Sequence, residues 1–158
     1  MIKSERHSKI AGDFGEHMIL YWLSKNGFET LHIDHVGIDI IAAKGNNRWG
    51  ISVKSRSRQA GTEYSSVNIA DKNDMTKISR ACRTFGCKPY VAVVVDCPDE
   101  ARKKMNVFIL PISILARQMK IKKMLTLSMR AESIESLKRY SRVGWISAEY
   151  TSGGFLKS

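Results

Sequence analysis

Hydrophobic residues near the start of the chain recur at the spacing of an α-helix. The apolar positions are Ile10, Phe14, Met18, Ile19, Tyr21, Trp22 and Leu23. Spacings of three and four residues place such side chains on one helix face, which can pack on a core. Asn26 and Gly27 follow, and glycine suits the left-handed conformation in which many helices end. The pattern predicts a helix over residues 10–25.

A group of short strands follows this helix. Apolar runs predict strands over residues 28–33, 38–43 and 49–54. Gly45, Asn46 and Asn47 separate the second and third runs, and these residue types favour tight turns. The stretch over 56–64 is polar and basic, and we expect it to form a loop.

The second half of the chain alternates between helical and extended patterns. Apolar residues from Met75 to Phe85 recur at helical spacing, which predicts a helix over 71–84. The β-branched run over 90–95 is typical of a strand buried on both faces. The remaining predicted elements are a strand over 107–110, a helix over 112–119, a strand over 121–129, a helix over 131–140 and an edge strand over 144–150.

The order of these elements indicates the fold class. Strands joined by short turns are followed by a helical crossover, so an α/β fold is expected, with a mixed β-sheet flanked by helices. The chain has 158 residues, which is long enough for one sizeable hydrophobic core. We predict a core domain over 1–119 and a C-terminal extension over 120–158, packed on the core or partly mobile.

The charge balance indicates the class of partner. The chain carries 26 Lys and Arg against 15 Asp and Glu, a net charge of +11. Such a surface attracts polyanions, and DNA is the first candidate. No apolar run approaches the ~20 residues of a membrane span, so no membrane partner is expected. Three cysteines without a C-x-x-C pair, and no secretory leader, favour a reduced, cytoplasmic setting.

Three charged residues lie within or beside apolar segments. Glu16 is near the edge of the apolar helix face, Asp39 is flanked by isoleucines, and Lys54 ends an apolar strand. A charge in such a place needs a partner or an ion. Two carboxylates can hold Mg²⁺ together with water and a substrate phosphate, and a lysine can stabilise a reacting phosphate. The alternative is a structural ion pair between Asp39 and Lys54.

The segment around these residues resembles a known nuclease family. The matching features are a helix with a G-x-x-x-x-E-like acid, the helix end KNGF, GIDIIA, a glycine turn, VKSR, FGCKPYVAVVV and VFILPISIL. Together they resemble the PD-(D/E)XK, or restriction-endonuclease-like, superfamily, and within it the archaeal Holliday junction resolvases. The resemblance covers roughly residues 9 to 119 and implies an αβββαβ core.

The resemblance also implies roles for particular residues. Asp39 would be the central metal ligand, Glu16 would bind the metal directly or through water, and the Val53 carbonyl would be a further ligand. Lys54 would be the catalytic lysine. The implied cofactor is Mg²⁺ or Mn²⁺, the implied substrate is DNA, including branched DNA, and the implied assembly is a homodimer.

One position departs from the family pattern. Ser52 stands where the second motif acid is expected. A neutral hydroxyl is a weaker Mg²⁺ ligand than a carboxylate, so this change should lower metal affinity. The acid can migrate to another element in such folds, and the candidates are Glu16, Glu63, Asp71 and Asp74. Asp71 and Asp74 are also suited to the start of a helix, which we favour for both.

Basic residues next to the proposed site are candidates for nucleic-acid binding. Arg56, Arg58 and Gln59 follow Lys54 in a segment rich in small polar residues, as a phosphate-binding loop requires. Lys77 and Arg80 fall at helical spacing and either share a DNA-binding face or form a solvated helix surface. His32, Asp34 and His35 precede Asp39 and form another cluster that could touch the site.

Three functions remain open from the sequence. The first is a divalent-metal-dependent endonuclease, a hydrolase of DNA phosphodiester bonds. The second, favoured by Ser52, is a catalytically inactive nuclease fold that still binds DNA. The third is a protein-interaction domain with a basic surface, for which the sequence offers little positive support.

Overall fold

The computed structural model describes residues 4–58, 61–62, 65–97, 103–119 and 124–150. Four helices lie within this part of the chain: α1 (His7–Lys25), α2 (Lys72–Thr84), α3 (Ile112–Met119) and α4 (Ala131–Lys138). The strands there are β1 (Glu29–His35), β2 (Ile38–Lys44), β3 (Asn47–Ser57), β4 (Val67–Asp71), β5 (Lys88–Cys97), β6 (Lys103–Pro111), β7 (Met124–Leu127) and β8 (Gly144–Tyr150).

The main sheet has six strands in the order β1-β2-β3-β5-β6-β8. Strands β1, β2 and β3 form an antiparallel meander, and β3 pairs in parallel with β5 through the α2 crossover. Strands β6 and β8 continue the sheet in antiparallel pairing. A mixed α/β fold with a helix-flanked sheet was predicted, and the structure confirms it.

Helices cover both faces of the main sheet. On one face, Ile19 and Leu23 of α1 pack with Ile40 and Ile51 of the sheet. On the other face, apolar residues of α2 and α3 pack with β5, β6 and the small β4–β7 sheet. The strands of the centre are apolar on both sides for this reason, as the run over 90–95 predicted.

The structure differs from the predicted elements in the segment after Lys54. Strand β3 continues to Ser57, where the sequence predicted a loop from residue 56. The extension is stabilised by parallel pairing with β5 as far as Ser57 and Asp96. A short strand, β4, follows and pairs with β7. The extension of β3 has no apolar pattern of its own, and the apolar part of β4 is only Val67 to Ala70, so long-range pairing determines the conformation of both.

Two glycines allow the elements near Asp39 to approach closely. Gly37 has φ of +108°, and a Cβ there would lie 2.6 Å from the Lys77 carbonyl oxygen of α2. A Cβ on Gly15 of α1 would overlap the Ser55 hydroxyl of β3. These glycines therefore allow α2 to lie close to the start of β2 and α1 to lie close to β3.

Candidate active site

Asp39 lies at the start of β2, where the ladder between β2 and β3 ends. The first paired residues of this ladder are Ile40 and Ile51. Beyond them, the Asp39 carboxylate accepts a hydrogen bond of 2.6 Å from the Val53 backbone N–H. The side chain thus acts as an acceptor where the two strands separate, which fixes the carboxylate beside β3.

The Asp39 carboxylate experiences opposing influences from its surroundings. Burial raises its pKa above the ordinary value of 3.8, and the nearby Glu16 carboxylate raises it further. The Val53 N–H, the Lys54 ammonium and a hydrogen bond from Ser52 lower it, but the net pKa remains raised. A half-buried carboxylate near a second carboxylate favours a bound cation, because the cation compensates for lost solvation and relieves like-charge repulsion.

Glu16 comes to the site from the middle of α1. Its carboxylate oxygen Oε2 lies 2.6 Å from Nε2 of His32, which projects from β1. The His17 ring of α1 lies 5.7 Å from the His32 ring, between ring centroids. His32 therefore orients Glu16 relative to Asp39.

His32 belongs to the histidine-rich segment that the sequence singled out. The other members of that segment are elsewhere: the His35 ring contacts Phe85, and Asp34 is exposed. The sequence alone could not show which of His32, Asp34 and His35 lies at the site, because the contact that distinguishes His32 is with Glu16 of α1.

Ser52 and Lys54 lie on the same face of β3, since side chains alternate along a strand. Ser52 is only 3% exposed, and its side chain forms a hydrogen bond with Asp39. Lys54 is half-buried and acts electrostatically on Asp39. The structure thus brings Glu16, Asp39 and Lys54 together, with the Ser52 hydroxyl beside Asp39.

The two carboxylates of this site suit a metal ion that is held mainly by water and substrate phosphate. Within the described ranges, no three or more His, Cys, Asp or Glu side chains are grouped to hold a metal ion. Mg²⁺, however, often takes only one or two carboxylates and completes its shell with water and substrate phosphate. The crowded pair of Asp39 and Glu16, with the raised Asp39 pKa, fits that mode. The residues that would hold the ion are Asp39 and Glu16.

The other candidate acids are placed differently. Asp71 is the N-cap of α2, and its carboxylate accepts a 2.8 Å hydrogen bond from the Asp74 N–H. The Asp74 carboxylate in turn accepts a hydrogen bond from the Asp71 N–H. This capping box gives both acids a structural role, which is the interpretation that the sequence favoured. Glu63 lies outside the described residues.

The two arginines predicted to bind DNA also have partners within the chain. The Arg56 guanidinium donates to the carbonyl oxygens of Asn68 at 3.0 Å and Ser55 at 2.8 Å. Arg58 donates to the Thr62 carbonyl at 3.1 Å and also contacts Ser65. Both arginines tie the end of β3 to the segment that follows it.

The remaining predicted DNA contacts are Gln59, Lys77 and Arg80. Gln59 lies outside the described residues. Lys77 is half-buried and Arg80 is exposed on α2, one turn apart. The Lys77 backbone is the part of α2 that meets Gly37, so this turn of α2 lies beside the segment leading to Asp39.

Comparison with known proteins identifies the fold. No family model matches the chain, and no curated protein matches it. Fifteen chains of solved structures are similar. One is Archaeoglobus fulgidus Hjc, a Holliday junction resolvase from an archaeal hyperthermophile, with a TM-score of 0.54 and 17% sequence identity. The match covers 79% of this chain and 88% of that one. At this identity the likeness concerns the fold, which is consistent with a restriction-endonuclease-like core.

Proposed function

We propose that this chain is a divalent-metal-dependent endodeoxyribonuclease that hydrolyses phosphodiester bonds of DNA, including branched DNA. The observation that carries this proposal is the convergence of two carboxylates, Asp39 and Glu16, with the Lys54 ammonium at the place where β2 and β3 separate. The net charge of +11 supports DNA as the polyanion. The fold shared with Hjc, a Holliday junction resolvase, is consistent with it.

In this proposal each group has a distinct task. Asp39 and Glu16 hold Mg²⁺ or Mn²⁺, which, when bound, activates water and offsets charge at phosphorus. Lys54 stabilises the negative charge that develops on the phosphate. Val53 fixes the Asp39 carboxylate through its N–H, and we propose its carbonyl as a further metal ligand. His32 orients Glu16.

The proposal is tested by cleavage of a labelled four-way DNA junction and a linear duplex with Mg²⁺ or Mn²⁺. Asp39→Asn removes the charge but keeps the size of the side chain, so we expect cleavage to fall at least about a hundredfold. DNA binding should stay within about threefold of wild type. Asp13→Asn, an exposed acid on the same helix as Glu16, is the matched control and should cleave normally. Equal cleavage by wild type and Asp39→Asn would contradict the proposal.

Ser52 supports a second candidate function, a nuclease fold that binds DNA without cleaving it. The family resemblance implies a second motif acid at position 52, and the chain has a buried serine there instead. The site would then have two carboxylates, Asp39 and Glu16. Under this alternative, wild type binds DNA in a salt-sensitive manner but cleaves no substrate with either metal. If cleavage appears only in the Ser52→Glu variant, the missing acid at position 52 is the reason that wild type does not cleave DNA.

We propose the remaining predictions on the same basis. The Asp39 site acts on one strand, so a homodimer would supply a second site for the other strand of the DNA. We also propose that the protein processes DNA in the cytoplasm; the net charge of +11 and the fold shared with a Holliday junction resolvase support the DNA-processing part of this proposal. Among the described helices, none is long and apolar enough to cross a lipid bilayer.

A further inference from the structure

The turn between β1 and β2 places an exposed apolar residue close to Asp39. The two strands are joined by a two-residue turn, Val36 and Gly37, with His35 paired to Ile38 on either side of it. The Val36 side chain is 61% exposed. Asp39 follows Val36 by three residues, so the Cα atoms of Val36 and Asp39 are at most ~11 Å apart.

Valine is an unusual residue for such a turn. Tight turns favour Gly, Asn, Asp, Ser and Pro, whereas β-branched residues favour the strands themselves. Gly37 meets the demands of this turn with a φ of +108°, but Val36 brings no turn chemistry. Its exposed surface also contributes little to the core, because apolar groups stabilise a fold only where they are removed from water. A residue that departs from local folding preferences without such a gain is expected to have a functional role.

Helix α2 contacts the turn on both sides of Val36. Gly37 lies against the backbone of α2, where a Cβ would be 2.6 Å from the Lys77 carbonyl oxygen. The His35 ring packs edge-on against the ring of Phe85, the C-cap of α2, with 5.1 Å between the ring centroids. The turn therefore presents Val36 to solvent from a supported position, which reduces the ordering cost when this side chain meets a ligand.

The turn and Lys54 lie on the same side of the main sheet. Ile51 and Val53 pack in the core beneath α1. Lys54 alternates with them along β3, so it faces the opposite side, which is the side of α2. The turn meets α2 on that side through Gly37. DNA with a phosphate at Asp39 and Lys54 would therefore have its next base steps beside Val36, since successive nucleotides of a strand are only ~3.4 Å apart along the helix axis.

We propose that Val36 is an apolar wedge that enters the branch point of DNA and makes the protein prefer branched over linear DNA. The inference rests on the proposed function, since it requires DNA at the Asp39 site. Base pairs within a linear duplex are stacked on both faces, whereas a branch point interrupts the stacking and exposes an apolar base-pair face. The Val36 side chain covers that face. Proteins that kink or open DNA commonly insert an apolar side chain at an unstacked base step.

The test compares binding of a four-way DNA junction and of a linear duplex with the same number of base pairs. Fluorescence anisotropy in EDTA measures both affinities, so that cleavage plays no part. Wild type should prefer the junction at least about fivefold, the effect of burying the exposed part of one valine side chain. Val36→Ser removes the apolar surface and suits a tight turn. It should lose most of this preference and keep the affinity for the duplex close to that of wild type.

A second readout and two further variants separate insertion from general effects. A 2-aminopurine at the branch point becomes brighter when base stacking is lost, so wild type should raise its fluorescence and Val36→Ser should not. Val36→Ile is larger but still apolar and should retain both the preference and the rise. Tyr21→Ala removes a ring with the same 61% exposure from the face of α1 opposite to Ile19, and it should also retain both. Thermal unfolding of each variant shows that it is folded.

The outcomes distinguish this inference from the proposed function. Equal affinity of wild type for the two DNAs, or an unchanged preference in Val36→Ser, would overturn the wedge alone. An equal loss of affinity for both DNAs in Val36→Ser would show a general contact and would also overturn the wedge. So would a dimer that dissociates in Val36→Ser while the fluorescence rise persists, because Val36 would then join two copies of the chain. Failure of wild type to bind either DNA at low salt would overturn the proposed function as well.

Discussion

The Asp39 carboxylate contributes to the fold and to the proposed chemistry through the same contacts. Its hydrogen bond from Val53 closes the end of the β2–β3 ladder. Its burial and the nearby Glu16 raise its pKa, so the ionised form is stabilised less than in water. A cation bound at this point would stabilise the ionised form of both carboxylates, because its positive charge compensates for their lost solvation and their mutual repulsion.

A substitution at Ser52 tests directly whether a cation binds beside Asp39. Ser52→Asp adds a buried carboxylate beside Asp39, so we expect the free energy of unfolding in EDTA to fall by about 2 kcal/mol. Saturating Mn²⁺ should restore most of this loss, because a third carboxylate strengthens binding of a hard cation. Urea denaturation with and without Mn²⁺ measures both effects.

The control for this experiment is Ser52→Asn. It has nearly the same size as the aspartate variant but no charge, so Mn²⁺ should change its stability no more than that of wild type. A Ser52→Asp variant whose stability is unaffected by Mn²⁺ would show that no cation binds beside Asp39.

At the residue scale, the sequence reveals the unusual charges but not all of their neighbours. Glu16, Asp39 and Lys54 drew attention because charges are unusual within apolar segments, and the structure places them in one neighbourhood. Their chemical roles are still predictions. His32 was one of three equivalent candidates, because its contact with Glu16 joins residues 16 positions apart. The partners of Arg58 were likewise hidden, since they depend on the path of the following segment.

At the scale of elements, the approach of α1 to β3 depends on Gly15. Alanine is normally the better helix former by about 1 kcal/mol. At Gly15, however, the added methyl would overlap the Ser55 hydroxyl, with the Ser55 Cβ at 3.2 Å. We expect Gly15→Ala to destabilise the fold by about 1–3 kcal/mol, as overpacking does. Because α1 carries Glu16, cleavage should fall more than tenfold.

Two companion variants test the cause of that effect. Gly12→Ala lies on the same helix with nothing within 4 Å of the added methyl, so it should leave stability unchanged or raise it by up to about 1 kcal/mol. Combining Gly15→Ala with Ser55→Ala should recover at least about 1 kcal/mol, since contacting residues couple. Additive effects in this double-mutant cycle would exclude the predicted overlap.

The contact between α2 and β3 predicts a specific dependence on pH. Cys82 is buried against Gly50, and burial raises the pKa of its thiol from 9.0 to about 11. Because the pKa of the thiol is higher in the folded state than in the unfolded state, its contribution to stability is complete below pH 9 and is lost as the pH rises through 11. The loss at pH 10 is about 1 kcal/mol. Cys82→Ala should reduce this part of the decline in urea denaturation between pH 8 and 10, whereas Cys87→Ala should preserve most of it.

The elements were predictable where local pattern and final packing agree. Helix α3 and strand β8 have the bounds that the sequence predicted, over 112–119 and 144–150. The bounds of α1 and α2 differ from prediction by at most a few residues, because each helix ends just before a glycine with positive φ, Gly27 and Gly86. The extension of β3 was missed because its polar sequence is held extended by pairing with β5. Strand β4 was missed because its apolar run is short and is held extended by pairing with β7, which is distant in the chain.

At the scale of the whole molecule, the excess of positive charge predicts how DNA binding responds to salt. If phosphate contacts dominate, the logarithm of the binding constant falls linearly with the logarithm of the salt concentration, and each contact that is lost makes this slope less steep by about 0.9. With about four contacts, affinity should fall roughly a hundredfold between 50 and 200 mM NaCl. Replacing Lys77 and Arg80 with Gln should reduce the slope by about 2 if both touch phosphate. The matched control replaces Arg139 and Arg142 instead.

A slope unaffected by Lys77→Gln and Arg80→Gln would assign these residues to the solvated helix surface, which the sequence left as the alternative. A salt-independent affinity would contradict a DNA-binding surface altogether. The sequence established the sign and size of the charge, but the direction in which it faces depends on how α2 docks beside the segment before Asp39.

The most direct measurement of the central claim is the anomalous difference map of a crystal grown in Mn²⁺. The account predicts a strong anomalous peak within coordination distance of the Asp39 and Glu16 carboxylates and the Val53 carbonyl, and its loss in crystals of Asp39→Asn. At a saturating concentration of Mn²⁺, a map without a peak at Asp39, or with ions bound only elsewhere, would contradict the account.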